Sequence, residues 1–142
     1  MNEDILSQNE KIELFMSLFT GLKQVYGTYD TTTGRAYHVK SMVNRNTIVG
    51  HLWGLQPYGV YLLVGNKTRA IAVDFDSNEL TPIIRFMVET TPFGIPVYIE
   101  RSKSKGYHVW MFFFFFLPAS KARVVVHHIL NKIGYPATEV FP

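Results

Sequence analysis

Residues 69–76, Arg69-Ala-Ile-Ala-Val-Asp-Phe-Asp76, and residues 99–110, Ile99-Glu-Arg-Ser-Lys-Ser-Lys-Gly-Tyr-His-Val-Trp110, decide how the rest of the chain is read. The first is an apolar run that ends on two carboxylates, and the second sets a cationic, glycine-containing loop between two apolar runs. Successive side chains of a strand point to opposite faces, so Asp74 and Asp76 share one face while Ile71, Val73 and Phe75 share the other. Two carboxylates about 5 to 7 Å apart repel in a partly buried cleft, and a hard divalent cation such as Mg2+ relieves that repulsion. The loop then offers Ser102, Lys103, Ser104, Lys105, the backbone N–H of Gly106 and finally His108. That set suits an anion rich in oxygens, most naturally a polyphosphate.

Working outward, Gly65-Asn-Lys67 reads as a tight turn that joins a strand over 60–64 to an antiparallel strand over 69–76. Thr81-Pro82 starts a helix over 82–91, with Ile83, Ile84, Met87 and Val88 as its apolar face. A strand over 97–102 leads through the basic loop into a strand over 107–116, whose run Phe112 to Phe116 reads as buried on both faces. A last helix over 118–133, stopped by Gly134, turns Ala122, Val125, Val126, Ile129 and Leu130 inward. Nearer the start, Ser7-Gln-Asn-Glu10 has the form of a capping box, and Leu14, Phe15, Leu18, Phe19 and Leu22 share one face of a helix over 8–21. Residues 26–46 read as an irregular segment or loose hairpin, and Thr47 as the cap of a short helix closed by Gly54. The expected fold class is α+β: a mainly antiparallel sheet with helices packed on it, ββαββα after an N-terminal helix, in a single domain spanning residues 1–142.

Composition sets the bounds. A chain of 142 residues with no cysteine can bury a core, and it excludes disulfide frameworks, thiolate zinc sites and cysteine nucleophiles. The apolar run at 109–117 is about half of what a membrane helix needs, and residues 1–7 lack the pattern of a signal peptide, so a cytoplasmic protein without membrane contact is expected. Beyond residue 13, 13 bases face seven acids, a balance of +6 against +3 for the whole chain, which favours attraction to nucleic acid. His38, His51, His127 and His128 have no spaced partners for zinc and read as structural or solvated. No glycine loop is followed by Gly-Lys-Ser or Gly-Lys-Thr, which excludes a Walker-type NTPase.

The order of an apolar strand, Asp74-Phe-Asp76, then Ser102-Lys-Ser-Lys-Gly-Tyr-His108 ahead of another apolar strand resembles the catalytic domain of the archaeo-eukaryotic primase superfamily, the primase-polymerases. The second motif is similar to the form used by the polymerase domains of bacterial end-joining ligases. The phrases His51-Leu-Trp-Gly54, Gly59-Val-Tyr-Leu-Leu63 and Tyr98-Ile-Glu-Arg-Ser102 look more like the primase modules of prokaryotic conflict systems and mobile elements. The resemblance covers residues 12–142 and implies an RNA-recognition-motif-like core.

It also implies metal-binding, catalytic Asp74 and Asp76 with Mg2+ or Mn2+, and nucleoside triphosphate binding by Ser102, Ser104, Lys105, Gly106 and His108. Arg69, Arg101 and Lys103 are expected to steer phosphate or nucleic acid. The implied activity is template-dependent primer synthesis or extension on DNA, with RNA as an alternative partner and a fused or associated helicase, nuclease or ligase. The family's third acidic residue has no evident counterpart facing Asp74 and Asp76. Residues 1–142 are therefore expected to be the N-terminal part of a larger catalytic domain, binding nucleotide or metal weakly without polymerising. Two other functions are weighed. A metal-dependent nuclease would use Glu100 and Lys103, but that spacing is one residue longer than Glu-x-Lys and breaks the strand parity. A non-catalytic nucleic-acid-binding module would have no use for paired carboxylates, which repel phosphate.

Overall fold

A computed structural model describes residues 6–142. The chain forms two compact units that part between Tyr61 and Leu62. In the first, α1 (Gln8–Leu18) begins at the expected capping box: Ser7 Oγ accepts from Glu10 N–H, and the Glu10 carboxylate accepts from Ser7 N–H at 2.7 Å. The helix ends three residues short of its predicted end, and Gly21 then passes against Tyr61, where a Cβ would lie 2.1 Å from the carbonyl oxygen. A hairpin, β1 (Tyr26–Tyr29) and β2 (Ala36–Val39), precedes α2 (Arg45–Leu52). The cap of α2 is Asn44, not Thr47; Thr47 is its reciprocal partner, donating its N–H to Asn44 Oδ1 at 3.1 Å. His51 packs among Phe15 and Tyr58 with ring centroids 5.4 and 6.0 Å away, a structural role as expected.

In the second unit, β3 (Lys67–Phe75), α3 (Thr81–Thr90), β4 (Tyr98–Arg101), β5 (Tyr107–Pro118), α4 (Ala119–Ile133) and β6 (Glu139–Phe141) follow one another. The sheet order is β4-β5-β3-β6, antiparallel throughout. The fold class is α+β, and the element order is βαββαβ, the ferredoxin-like arrangement. The expected ββαββα order fails at its first strand. Residues 60–63 join no sheet, and Val64 pairs only with Lys67 across the tight turn at Gly65, while the fourth strand comes instead from residues 139–141.

Strand alternation sets the layers. Ile71, Val73 and Phe75 of β3 turn to one face with Val109 and Met111 of β5 and Val140 of β6. Against them pack Ile83 and Phe86 of α3 and Val126, Ile129, Leu130 and Ile133 of α4. Burying a side chain of this size contributes about 1.5 to 3 kcal/mol, so this face carries much of the unit's stability. Phe86 occupies the core where Ile84 and Val88 were expected, and both of those are exposed, as is Val125. A helical face drawn from aliphatic residues alone misplaced the stripe by about one position.

The opposite face of the sheet carries Asp74, His108, Trp110, Phe112, Tyr98, Glu100, Glu139 and Phe141 by the same parity. The β3–β5 ladder is interrupted once. Thr68 pairs with Leu117 and Ala70 with Phe112, so Arg69 alone stands opposite the four residues 113–116. This bulge overturns the reading of a phenylalanine strand buried on both faces, because Phe114 is 91% and Phe115 83% exposed.

Candidate functional site

The pairing register builds a row across all four strands. Glu100 lies opposite His108, His108 opposite Asp74, and Asp74 opposite Glu139. His108 Nδ1 is 3.1 Å from Glu100 Oε2, and its Nε2 is 3.7 Å from Asp74 Oδ1. The same Glu100 oxygen accepts from the indole N–H of Trp110 at 2.7 Å, so Glu100 is fixed from two sides. The Glu100 hydrogen bond raises the His108 pKa above its ordinary value; partial burial opposes the rise, and the charges of Glu100 and Asp74 add to it.

Asp74 also lines an open cleft of about 470 Å³ with Asp76, Ser77, Pro82 and residues 134–139, Glu139 among them. Asp76 follows the last residue of β3 and is exposed. The cleft is formed where β3 runs out, α3 begins and the α4–β6 connection crosses. Arg123 holds the β6 side in place, donating to the Val140 carbonyl at 2.6 Å. Glu139 is a counterpart that the sequence alone did not make evident. The expectation that no further acid faces Asp74 is corrected by the register, and the signal was present in Glu139-Val-Phe141, whose alternation puts Glu139 and Phe141 on one face and buries Val140.

The basic loop closes β4 onto β5. Ser102 N–H donates to the Gly106 carbonyl at 3.1 Å, and Gly106 N–H donates to Asn78 Oδ1 at 3.1 Å. That N–H, expected to face an anion, is thus committed to the segment following Asp76. Gly106 has φ +82°, and a Cβ there would sit 2.0 Å from the Phe75 carbonyl oxygen, so only glycine lets the loop reach the end of β3. Lys103, Ser104 and Lys105 lie on the exposed rim, with Ser102 half-buried. Arg101 pairs with Tyr107 and so points to the other face from Glu100. Arg69, expected to steer phosphate, stands five residues before Asp74, about 17 Å away along the strand. Its Nε–H donates to the Phe113 carbonyl at 3.2 Å and its guanidinium lies 6.0 Å from the Phe116 ring, so it braces the bulge.

Among the described residues, no three Asp, Glu or His side chains converge closely enough to form a closed metal cage. His127 and His128 line the outer side of α4. No helix among the described residues is long and apolar enough to cross a membrane.

The model of one protein family, the archaeo-eukaryotic primase domain of TOTE conflict systems, matches residues 10–140. The chain belongs to that family. Membership makes it a primase-like domain of a nucleotidyltransferase superfamily. A comparison with curated proteins finds no match.

Proposed function

We propose that this primase-family domain catalyses template-directed nucleotidyl transfer from a nucleoside triphosphate to a DNA 3′-hydroxyl; Glu139, opposite Asp74 in the ladder, offers the third carboxylate whose lack was the ground for expecting binding without polymerisation. The observation that carries the reading is the row Glu100–His108–Asp74–Glu139, set beside a cleft that Asp76 also lines. The donor chemistry suits a hard divalent ion, since Asp74, Asp76 and Glu139 offer carboxylate oxygens at one open cleft; as they stand they do not converge into a ready-made set of three. Mg2+ or Mn2+, when bound there, would lower the pKa of the attacking hydroxyl and offset the charge gathering on the leaving pyrophosphate.

The protein's own contribution is positioning. Lys105, Ser104 and Ser102 of the loop bind the triphosphate oxygens, with Lys103 adding positive charge nearby. His108, its Nδ1 held by Glu100, keeps Nε2–H directed across the row as a charge-assisted donor to a phosphate oxygen. The 3′-oxygen then forms a bond to the α-phosphorus as the bond to the β-phosphate oxygen breaks. Pyrophosphate departs, and the hydroxyl proton passes to solvent. The experiment is incubation of the full chain with a primed DNA template, labelled nucleotides and Mg2+ or Mn2+. Extension lost in Asp74→Asn supports the proposal, degradation of the primer would mean a nuclease, and a mobility shift alone would mean a binding module.

A further inference from the structure

The bulge at residues 113–116 places Phe114 and Phe115 almost wholly in solvent, at the end of β3 and β5 remote from Asp74. Exposing two adjacent rings forgoes about 2 to 3 kcal/mol of burial apiece, and nothing in the turn geometry calls for phenylalanine there. The prong is nevertheless firmly based. Arg69 donates to the Phe113 carbonyl and lies against Phe116, while the Asn66 carbonyl accepts from Ala119 N–H at 3.0 Å and closes its lower edge.

The surroundings are basic. Residues 60–73, which lead into β3, carry Lys67 and Arg69 and no acid, and residues 112–124 carry Lys121 and Arg123 and no acid. Lys67 pairs with Pro118 at the foot of the prong, and Lys121 follows within one turn of α4; both are exposed. Along β5, the rings continue toward the site. Phe112 and Trp110 are parallel with centroids 5.8 Å apart, Trp110 and His108 are 6.4 Å apart, and Tyr98 flanks Phe112 at 5.8 Å.

We infer that the Phe114–Phe115 prong is a stacking surface for single-stranded nucleic acid, receiving the template strand beyond the site, with Lys67 and Lys121 pairing its phosphates. Rings among cations are the combination that single strands require, because every base has a face to stack and every linkage a charge to neutralise. An anionic membrane surface would also accept rings and lysines. The ring row that runs along β5 to His108, opposite Asp74, favours a strand of bases instead. The inference rests on the nucleotidyl-transfer reading of the Asp74 site and adds the path of its template.

The test is fluorescence anisotropy of the full chain with an end-labelled oligothymidylate, comparing wild type with the double variant Phe114→Ala, Phe115→Ala. Both residues are exposed, so the thermal midpoint should hold. Single-strand affinity should fall at least about tenfold, as loss of base stacking requires. In Lys67→Ala, Lys121→Ala the slope of log affinity against log salt should flatten by roughly 1.4, two phosphate contacts' worth. Wild type that fails to bind the oligonucleotide, or a Phe114/Phe115 variant that binds it as wild type does, would overturn the inference. So would a variant defect confined to phosphatidylserine vesicles. The reading of the Asp74 site is judged separately by Asp74-dependent incorporation, so either can fail without the other.

Discussion

Asp74 and Glu139 face each other directly across the β3–β6 ladder, two carboxylates on adjacent antiparallel strands with Asp76 lining the same cleft. Like charges in that position destabilise a sheet by a few tenths of a kcal/mol to about 1 kcal/mol. In metal-free protein, Glu139→Gln should therefore raise the unfolding free energy by about 0.5 kcal/mol in urea titrations. Adding Mn2+ should stabilise wild type and leave Asp74→Asn nearly unmoved. A wild type indifferent to Mn2+ would show that the facing acids hold no ion.

Gly106 is where loop and strand end meet. With φ +82° and the Phe75 carbonyl where a Cβ would go, Gly106→Ala should cost about 1 to 3 kcal/mol and release the loop from Asn78. Urea unfolding checks the first effect, and weaker triphosphate binding under conditions where the variant stays folded checks the second. An alanine variant of wild-type stability would contradict the close approach.

His108 should titrate above its ordinary value of 6.5 in metal-free protein, chiefly through the Glu100 hydrogen bond. A pKa raised on folding gives stability that is fully present below the unfolded value and lost as pH rises through the folded one. The stability advantage of wild type over Glu100→Gln should thus be largest in mildly acidic solution and shrink toward pH 8. NMR titration of the His108 ring should follow, with the Gln variant shifted downward. A midpoint that ignores the substitution would remove Glu100 from the row.

The basic loop makes a ligand-specific prediction. Lys105→Ala and His108→Ala should each weaken nucleoside triphosphate binding by about 1.5 to 3 kcal/mol, the worth of a hydrogen bond to a charged group, and barely alter nucleoside binding. Equilibrium titrations with both ligands decide it; equal losses would assign the loop to the base or to structure.

The elements that the sequence made legible are those in which local pattern and tertiary role agree. β3 alternates between Ile71, Val73 and Phe75 on one side and Asp74 on the other because one face meets the helices, and α4 starts after Pro118 and stops at Gly134 for reasons internal to the helix. Ser7 and Glu10 likewise settle their own helix start. What escaped depends on register. Residues 60–64 look like a strand, yet no edge receives them, whereas three residues at 139–141 become one because β3 offers an open side. Five consecutive phenylalanines carry no alternation, so nothing local distinguishes a buried strand from a bulge; the count of four residues against Arg69 appears only when the ladder is laid out. Motif spacing singled out Asp74, Asp76 and His108, and the register sets Asp74 opposite His108 while Asp76 lines the same cleft as Asp74. The Glu139 and Glu100 positions follow from which strands are neighbours, and Gly106 reads as offering an N–H to an anion, whereas that N–H serves Asn78 and the close approach to Phe75 is what requires glycine.

The most direct test of nucleotidyl transfer at this site is single-turnover incorporation of a labelled nucleotide into a primed DNA template with Mn2+ or Mg2+, run on wild type, Asp74→Asn and Glu139→Gln. The account predicts that wild type incorporates and that both variants lose several kcal/mol of transition-state stabilisation, a drop of roughly 100-fold or more, while remaining folded. Incorporation at the wild-type rate by Asp74→Asn, or none by wild type with either metal, would contradict it.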